Sequence, residues 1–475
     1  MMTRDKVNAI IERDSDELIS TIREIVAVPS VGGAAELGAP FGRGPKNALD
    51  KFIEIGRRLG FRTWAFEDQV GILEYGDESL PEMIAILAHL DVVPVGDGWS
   101  CDPWKGMIKD GLLYGRGVAD DKGPAISAIY ALKAIREAGI SLKRRVRVLV
   151  GTNEEMGSRA VMHYVASGQE TCVAGFTPDG SFPIINGEKG IIGADCYASF
   201  KSDGGDVQVV SIDAGLASNA VPERAVAVLK VSPKSEKRLS QVIDSFAAPR
   251  DAKLTCEKTG EGEYTLVMNG MSFHGSTPQY GSNAAANLVK VLRLIGIGGE
   301  QGKFLETIDK VIGDQTRGEN LGLLLYDDIA GFSSLCWGIL KTVDDKIMFT
   351  VNYRYPVTYK VNEIGPKVEA ALKSCGFEVR NCRFTPPLYM PEDSDLVKKL
   401  MKVYRDETGD VESKPLCIGG GTYAKAMPNM LAFGNQFPGE NCHIHEIDEC
   451  WSIQHIITHT KIAAAAIVAL AEVSQ

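Results

Sequence analysis

An unbroken apolar run from Met83 to Ala88, and the stretch from Val146 to Val150, apolar except for Arg147, have the length of buried strands. Between them, Pro124 to Ala138 repeats apolar residues at helical spacing and predicts an amphipathic helix. Strand, helix, strand is α/β rhythm. One short excursion breaks it. Lys109-Asp110-Gly111 lies between Met107-Ile108 and Leu112-Leu113-Tyr114, and Asp-Gly supplies the positive φ that a tight hairpin turn needs.

From about Gly187 to Arg383 the pattern changes. Strand-like stretches such as Ala225 to Val231 and Lys346 to Tyr353 accompany a helix over Asn283 to Leu294, an α+β flavour. A helical pattern returns near Asp393, Met430 to Phe433 reads as a short strand, and a buried helix over Ile462 to Val473 closes the chain. No repeat of fixed period interrupts this order. The expected organisation is an α/β catalytic domain in two parts, residues 1–186 and 386–475, with an inserted α+β domain at 187–385.

A chain of 475 residues with 44% hydrophobic and 24% charged composition can build more than one core. Its net charge of -11 argues against nucleic acid as a partner, because polyphosphate binding needs clustered Lys and Arg. The first residues, Met1 through Arg23, interleave charges with aliphatics and do not read as an export signal. The Ile462 to Ala471 run is shorter than the roughly 20 residues of a membrane span. Ten scattered cysteines read as thiols of a reducing compartment, so a cytoplasmic protein with no membrane partner is expected.

Candidate chemistry is concentrated in five stretches. His89 and Asp91 follow the first apolar run, two residues apart, so that one can bind a metal and the other orient it. Gly115 to Pro124 is a Gly-punctuated acidic loop before the predicted helix, where Asp120 or Asp121 could equally be an N-cap. Glu154 and Glu155 follow a strand at the end where open α/β sheets place ligands, although two solvated loop acids would look the same. Thr177-Pro178-Asp179-Gly180 reads equally as an ordinary turn, and His443 to Glu449 equally as a polar loop. Each has a plain explanation alone. Five such clusters after strands or Gly-rich loops, in a chain with seven His, point to a metal site.

Taken together, His89-x-Asp91, Gly117-Val-Ala-Asp120-x-Lys122-Gly123, Glu154-Glu155, Pro178-Asp179 and His445-x-x-Asp448-Glu449 resemble, in order and over nearly the whole chain, the co-catalytic dimetal peptidase family. That family includes aminoacylases, desuccinylases, glutamate carboxypeptidases and peptidase V. The stretches Ala217 to Pro222, His274 to Pro278, Asn352 to Pro356 and Gly419 to Tyr423 are most similar to the peptidase V-like bacterial dipeptidases. The resemblance implies a hydrolase-like catalytic domain, its mostly parallel sheet between helices, and an inserted lid of two related α+β halves. It implies two divalent cations, zinc foremost with manganese or cobalt as alternatives. Asp120 would bridge them, His89 and Asp179 would complete one site, and Glu155 and His445 the other.

By the same resemblance Glu154 is the general base, Asp91 supports His89, and the Asp120-Asp121 peptide is cis. His274 and Asn219 would reach the tetrahedral intermediate, Arg354 would hold the substrate's carboxylate, and Gly420, Gly421 and Thr422 would line the substrate. His443 departs from the single-His pattern. The expected activity is hydrolysis of dipeptides or small amides, by a monomer or a homodimer. N-acyl amino-acid deacylation, desuccinylation and carboxypeptidase action are the alternatives within the family. A nucleotide site at Gly419-Gly420-Gly421 is disfavoured, since no P-loop Lys-Ser/Thr pattern follows.

Overall fold

The apolar run at Met83 forms the strand Met83–His89, and the run around Val146 forms Arg145–Gly151; every residue of both is buried. They run parallel, with His89 opposite Gly151. Ala174–Thr177 joins the other side of Met83–His89 in parallel, and Met430–Ala432 continues in parallel beyond it. Val70–Tyr75 and Arg62–Phe66 extend one edge antiparallel, while Ile185 opposes Ala432 at the other. Parallel strands covered on both faces favour apolar residues at consecutive positions, as in Met83 to Ala88, while Arg145 and Arg147 in the neighbouring strand are buried with Glu74 as their partner.

This computed structural model describes residues 3–249 and 251–472, and the chain separates into two units. The first comprises Met1–Asn186, Met390–Leu416 and Gly421–Gln475 and contains the sheet just described. Its helix Lys122–Glu137 packs on the central strands and is flanked by Thr3–Arg13, Ser15–Val26 and Ile453–Ala471. It is therefore buried on nearly every side rather than along one stripe.

The closing helix begins nine residues earlier than its apolar run suggests, at Ile453, where the Ser452 hydroxyl accepts from His455 N. The polar letters that hide its first turns include His459 and Thr460, both buried. The helix ends at Ala471, and Val473 lies outside the described residues. By length and composition it could cross a membrane, but half of it is buried against Lys122–Glu137 and Asp395–Thr408. The hairpin forms as expected: Met107–Lys109 pairs with Leu112–Tyr114, with Asp110 at φ 52° and Gly111 at φ 77°. Cys450–Ser452 adds a third strand to it.

The second unit, Gly187–Tyr389 with Cys417–Gly420, is built on an antiparallel sheet. One half orders Lys253–Gly260, Glu263–Asn269, Arg224–Val231 and Val207–Ala214, with helix Ala284–Ile295 packed on it. The other orders Leu340–Val343, Lys346–Tyr355, Gly190–Ser199 and Glu378–Thr385, with helix Val361–Ser374. The halves join through Asp213 opposite Lys341 and Ala214 opposite Leu340. Alternating burial puts Ala225, Ala227, Leu229 and Val231 inward, the pattern of a sheet with one covered face. Residues 417–420 belong here because Lys189 N donates to Ile418 O and Arg354 Nη1 to Gly419 O, at 3.0 and 2.7 Å.

Candidate metal centre

His89 ends its strand at the carboxyl edge of the parallel sheet, Thr177 ends the neighbouring strand and leads through Pro178 to Asp179, and Glu154 and Glu155 follow Gly151. Loops from adjacent parallel strands converge at that edge. Asp120 arrives on the loop before Lys122–Glu137, and His445 on the loop before Cys450–Ser452.

Asp120 is the meeting point. Its Oδ1 lies 2.9 Å from His89 Nε2 and its Oδ2 lies 2.9 Å from His445 Nε2, which is also 3.3 Å from Glu155 Oε2. Ligand atoms of His89, Asp120 and Glu155 fall within 4.8 Å of one another, and so do those of His89, Glu154 and Asp179. His443 turns away and pairs with Glu446 at 3.0 Å, so of the two neighbouring histidines it is His445 that faces Asp120.

Asp91 does something other than the spacing suggested. Its main-chain carbonyl, 2.9 Å from His89 Nδ1, orients the imidazole, while its carboxylate stands 3.7 Å away. The carboxylate instead accepts from the amides of Glu154 and Glu155, at 2.9 and 3.0 Å. Spacing by two in extended backbone puts both side chains on one side but does not say which donors lie opposite the Asp91 carboxylate. Asp121 occupies the N-cap position but makes no capping bond; its Oδ2 accepts from His89 N at 3.3 Å. The Asp120-Asp121 peptide is cis.

The acidic loop is pinned from several sides. Glu449 accepts from the amides of Gly117, Ala119 and Asp120, Asn435 donates to Ala119 O, and the buried Lys122 ammonium donates to Val28 O at 2.7 Å. Tyr423 donates its amide to Asp179 Oδ2 at 3.3 Å and sets its ring edge-on to His89, with centroids 6.0 Å apart. Motif spacing assigned none of Asn435, Lys122 or Tyr423 a task. Buried Lys122 had a signal in its Asp-Asp-Lys-Gly setting, but Asn435 had none.

The donor set fits divalent cations. Burial and then the Asp120 charge push Asp179 up to about 7. Burial and then Asp179 push Glu154 well above the usual carboxylate range. Hydrogen bonds to Asp120 and Glu155 push His445 up to about 10. Carboxylates crowded in a low-dielectric site hold protons between themselves, and those protons are what a cation displaces on binding. Imidazoles and carboxylates together suit Zn²⁺ and accept Mn²⁺ or Co²⁺.

The second unit gathers three of the expected substrate residues. His274 Nδ1 is 2.7 Å from Ser276 Oγ, and its Nε2 is 3.4 Å from Arg354 Nη2. Asn219 O accepts from Gly275 N at 2.6 Å. Arg354 is buried, and among the described residues it bonds to Asn352 Oδ1, Gly419 O and His274 Nε2, with no carboxylate paired to it. Burial lowers its guanidinium to about 10. Any side chain at Gly419 would strike Ser276, whereas Gly420 faces more open space. Thr422 caps the turn Tyr423–Ala426 by accepting from Ala424 N at 3.2 Å.

The model for peptidase family M20/M25/M40 matches residues 85–469. The chain is 36% identical over 471 residues, 97% of its length and 98% of the relative's, to "Putative dipeptidase YtjP" of Bacillus subtilis (strain 168). It is 31% identical over 463 residues, 96% and 97% of the two chains, to "Putative dipeptidase SH1171" of Staphylococcus haemolyticus (strain JCSC1435). Among solved structures, human carnosine dipeptidase 1 shares the fold with a TM-score of 0.58 at 17% identity, covering 99% of both chains. The dipeptidase Dug1p of Saccharomyces cerevisiae does so with a TM-score of 0.58 at 15% identity and 99% coverage of both. With the family model spanning most of the chain and a relative this similar over almost all of it, the protein belongs to the M20/M25/M40 family of peptidases.

Proposed function

We propose that this peptidase is a dipeptidase that uses two divalent cations to hydrolyse the peptide bond of dipeptides with a free N-terminus. The observation that supports it most is Asp120, whose two carboxylate oxygens face two different histidines, each at 2.9 Å, an arrangement that would let Asp120 help hold both cations. His89 and Asp179 would hold one cation and Glu155 and His445 the other, with zinc favoured and manganese or cobalt acceptable to the same donors. Such a pair supplies a water of pKa near about 7 and a polarised scissile carbonyl.

The chain's own residues then carry the protons and the substrate. Glu154 takes the water's proton and returns it to the leaving amine, and Asp91 fixes it for that purpose through the Glu154 amide. Arg354 takes the substrate's C-terminal carboxylate, since among the described residues its guanidinium pairs with no carboxylate and a planar fork suits one. His274 and Asn219 serve the developing oxyanion, and Gly420, Gly421 and Thr422 border the substrate. The relatives named as dipeptidases support this substrate class. Five buried cysteines, Cys172, Cys196, Cys336, Cys442 and Cys450, are free thiols, which supports a reducing, cytoplasmic setting.

The test is a panel of free dipeptides, N-acyl amino acids and longer peptides, assayed after chelation and after return of each metal. Dipeptide hydrolysis that disappears and returns with metal is the expected result. Preference for N-acyl amino acids would replace the dipeptidase assignment with deacylation, and activity indifferent to chelation would remove the cations.

A further inference from the structure

Glu449 closes the C-terminal motif of the chain, yet its side chain faces backbone amides rather than the candidate ligand atoms and moves no proton in the proposed reaction. It is 1% exposed, and its carboxylate is saturated by one short loop. Oε1 accepts from the amides of Gly117, Ala119 and Asp120, at 3.1, 3.0 and 3.2 Å. Oε2 accepts from Gly117 N at 3.1 Å and from Arg116 Nη1 at 2.8 Å. Its main-chain carbonyl accepts in addition from Gly115 N at 3.0 Å. Arg116, equally buried, turns its other terminal nitrogen to Glu446 O at 3.0 Å.

Successive amides can converge on one carboxylate only if the loop is curled. Gly117, at φ 90°, provides the curl, and a Cβ there would press on Lys122 and Val92. The amide nearest the metal centre in this nest belongs to Asp120 itself, the residue between His89 and His445. Four positions before Glu449 stands His445, whose Nε2 meets Asp120 Oδ2. One carboxylate thus ties the backbone that presents Asp120 to the backbone that presents His445, across more than 300 residues of sequence.

We infer that Glu449 is a positioning residue that sets the distance between Asp120 and His445, and so decides whether a second cation is held. The inference rests on the two-cation reading above. Two features separate this role from simple core packing. The bonds go to the loop's amides and to Arg116 rather than to apolar neighbours, and all of them lie within the segments that carry Asp120 and His445. Glutamine cannot substitute, because its NH₂ would face either Arg116 or the converging amides, donor against donor. Aspartate keeps the charge but withdraws it by one methylene from amides that are met at hydrogen-bond distance.

The experiment titrates the metal-free full-length chain with Co²⁺, following the visible spectrum and, by chelator competition, the affinity of each equivalent. Wild type, Glu449→Gln, Glu449→Asp and Glu74→Gln are compared. Glu74 is a control of the same kind, a buried carboxylate bonded to Arg62, Arg145 and Arg147 away from the site. The expected result is two equivalents bound by wild type and by Glu74→Gln, with the second bound at least tenfold more weakly and with an altered spectrum in both Glu449 variants. Unchanged affinity and spectrum in Glu449→Gln overturns the inference. So does a loss of equal size in Glu74→Gln, which would mean general destabilisation. Should Glu449→Gln not fold, Glu449→Asp carries the test, and wild-type binding by it overturns the inference. A wild type that binds fewer than two equivalents sinks the two-cation reading itself, an outcome distinct from the other three.

Discussion

Glu154→Gln separates proton transfer from metal binding. Ligand atoms of Glu154, His89 and Asp179 lie within 4.8 Å of one another, so geometry alone would also let Glu154 hold an ion. If it is instead the base, the amide should remove activity and leave both cations in place. The bond that fixes this segment runs from the Glu154 amide to Asp91 and does not involve the side chain, so the local backbone should survive the change. Burial and Asp179 raise the Glu154 carboxyl well above the usual carboxylate range when no cation is bound, which favours its neutral form, and glutamine imitates that form. The metal-free variant should therefore unfold within about 1 kcal/mol of wild type, as for a substitution that creates neither a cavity nor an unpaired charge. Losing a positioned base should lower kcat by about 10²- to 10⁴-fold, or about 3 to 6 kcal/mol of barrier at 1.4 kcal/mol per tenfold. Bound metal is counted by elemental analysis after dialysis, and turnover is measured on one dipeptide with each metal. Turnover within tenfold of wild type would refute the base assignment, and loss of one equivalent of metal would make Glu154 a ligand.

The other predictions concern the ligands, the substrate and the core. Chelation should abolish activity and lower the melting temperature, since a ligand at 1,000 times its Kd contributes about 4 kcal/mol to the folded state; scanning calorimetry with and without added metal measures this, and equal melting would contradict it. Asp91→Asn removes an acceptor from one of the two amides it holds and should reduce kcat more than metal content, because His89 is oriented by the Asp91 carbonyl, which the variant keeps; loss of metal in step with activity would count against that division. Arg354→Lys should raise KM at least tenfold for dipeptides and far less for dipeptide amides, and an equal effect on both would show that Arg354 does not read the carboxylate. His459 is buried against Trp451 and Phe182, and burial lowers its imidazole from 6.5 to about 3, so the folded state keeps it neutral where the unfolded chain takes up a proton. Its contribution is complete above pH 6.5 and declines as pH falls toward 3, about 2 kcal/mol by pH 5. The stability difference between wild type and His459→Gln should therefore shift by that amount between pH 7.5 and pH 5 in denaturant titrations, and a constant difference would refute it.

What the residue pattern could and could not disclose follows from the kind of force involved. Strands covered on both faces are mostly apolar, so Met83–His89 and the Val146 to Val150 part of Arg145–Gly151 were legible, and with them the carboxyl edge where His89, Glu154 and Glu155 sit. Asp110-Gly111 was legible because positive φ at two successive positions admits few residue types. The first turns of Ile453–Ala471 were not, since His459 and Thr460 are polar in letter and buried in fact. Within the site, motif order brought forward the residues that meet around Asp120 but gave no direction to their hydrogen bonds. Asp91 looked like a carboxylate partner for His89, yet its carbonyl has that place and its carboxylate serves the Glu154 and Glu155 amides. Glu449 meets Gly117 only after 332 intervening steps of chain, a contact that no local spacing encodes. A ligand must present a particular element, so its residue type can be read from sequence. A supporting residue only has to satisfy whichever donors the fold brings near it, and that is settled by tertiary structure. Side chains supporting this centre are therefore better sought among buried carboxylates saturated by backbone amides than among further motif matches.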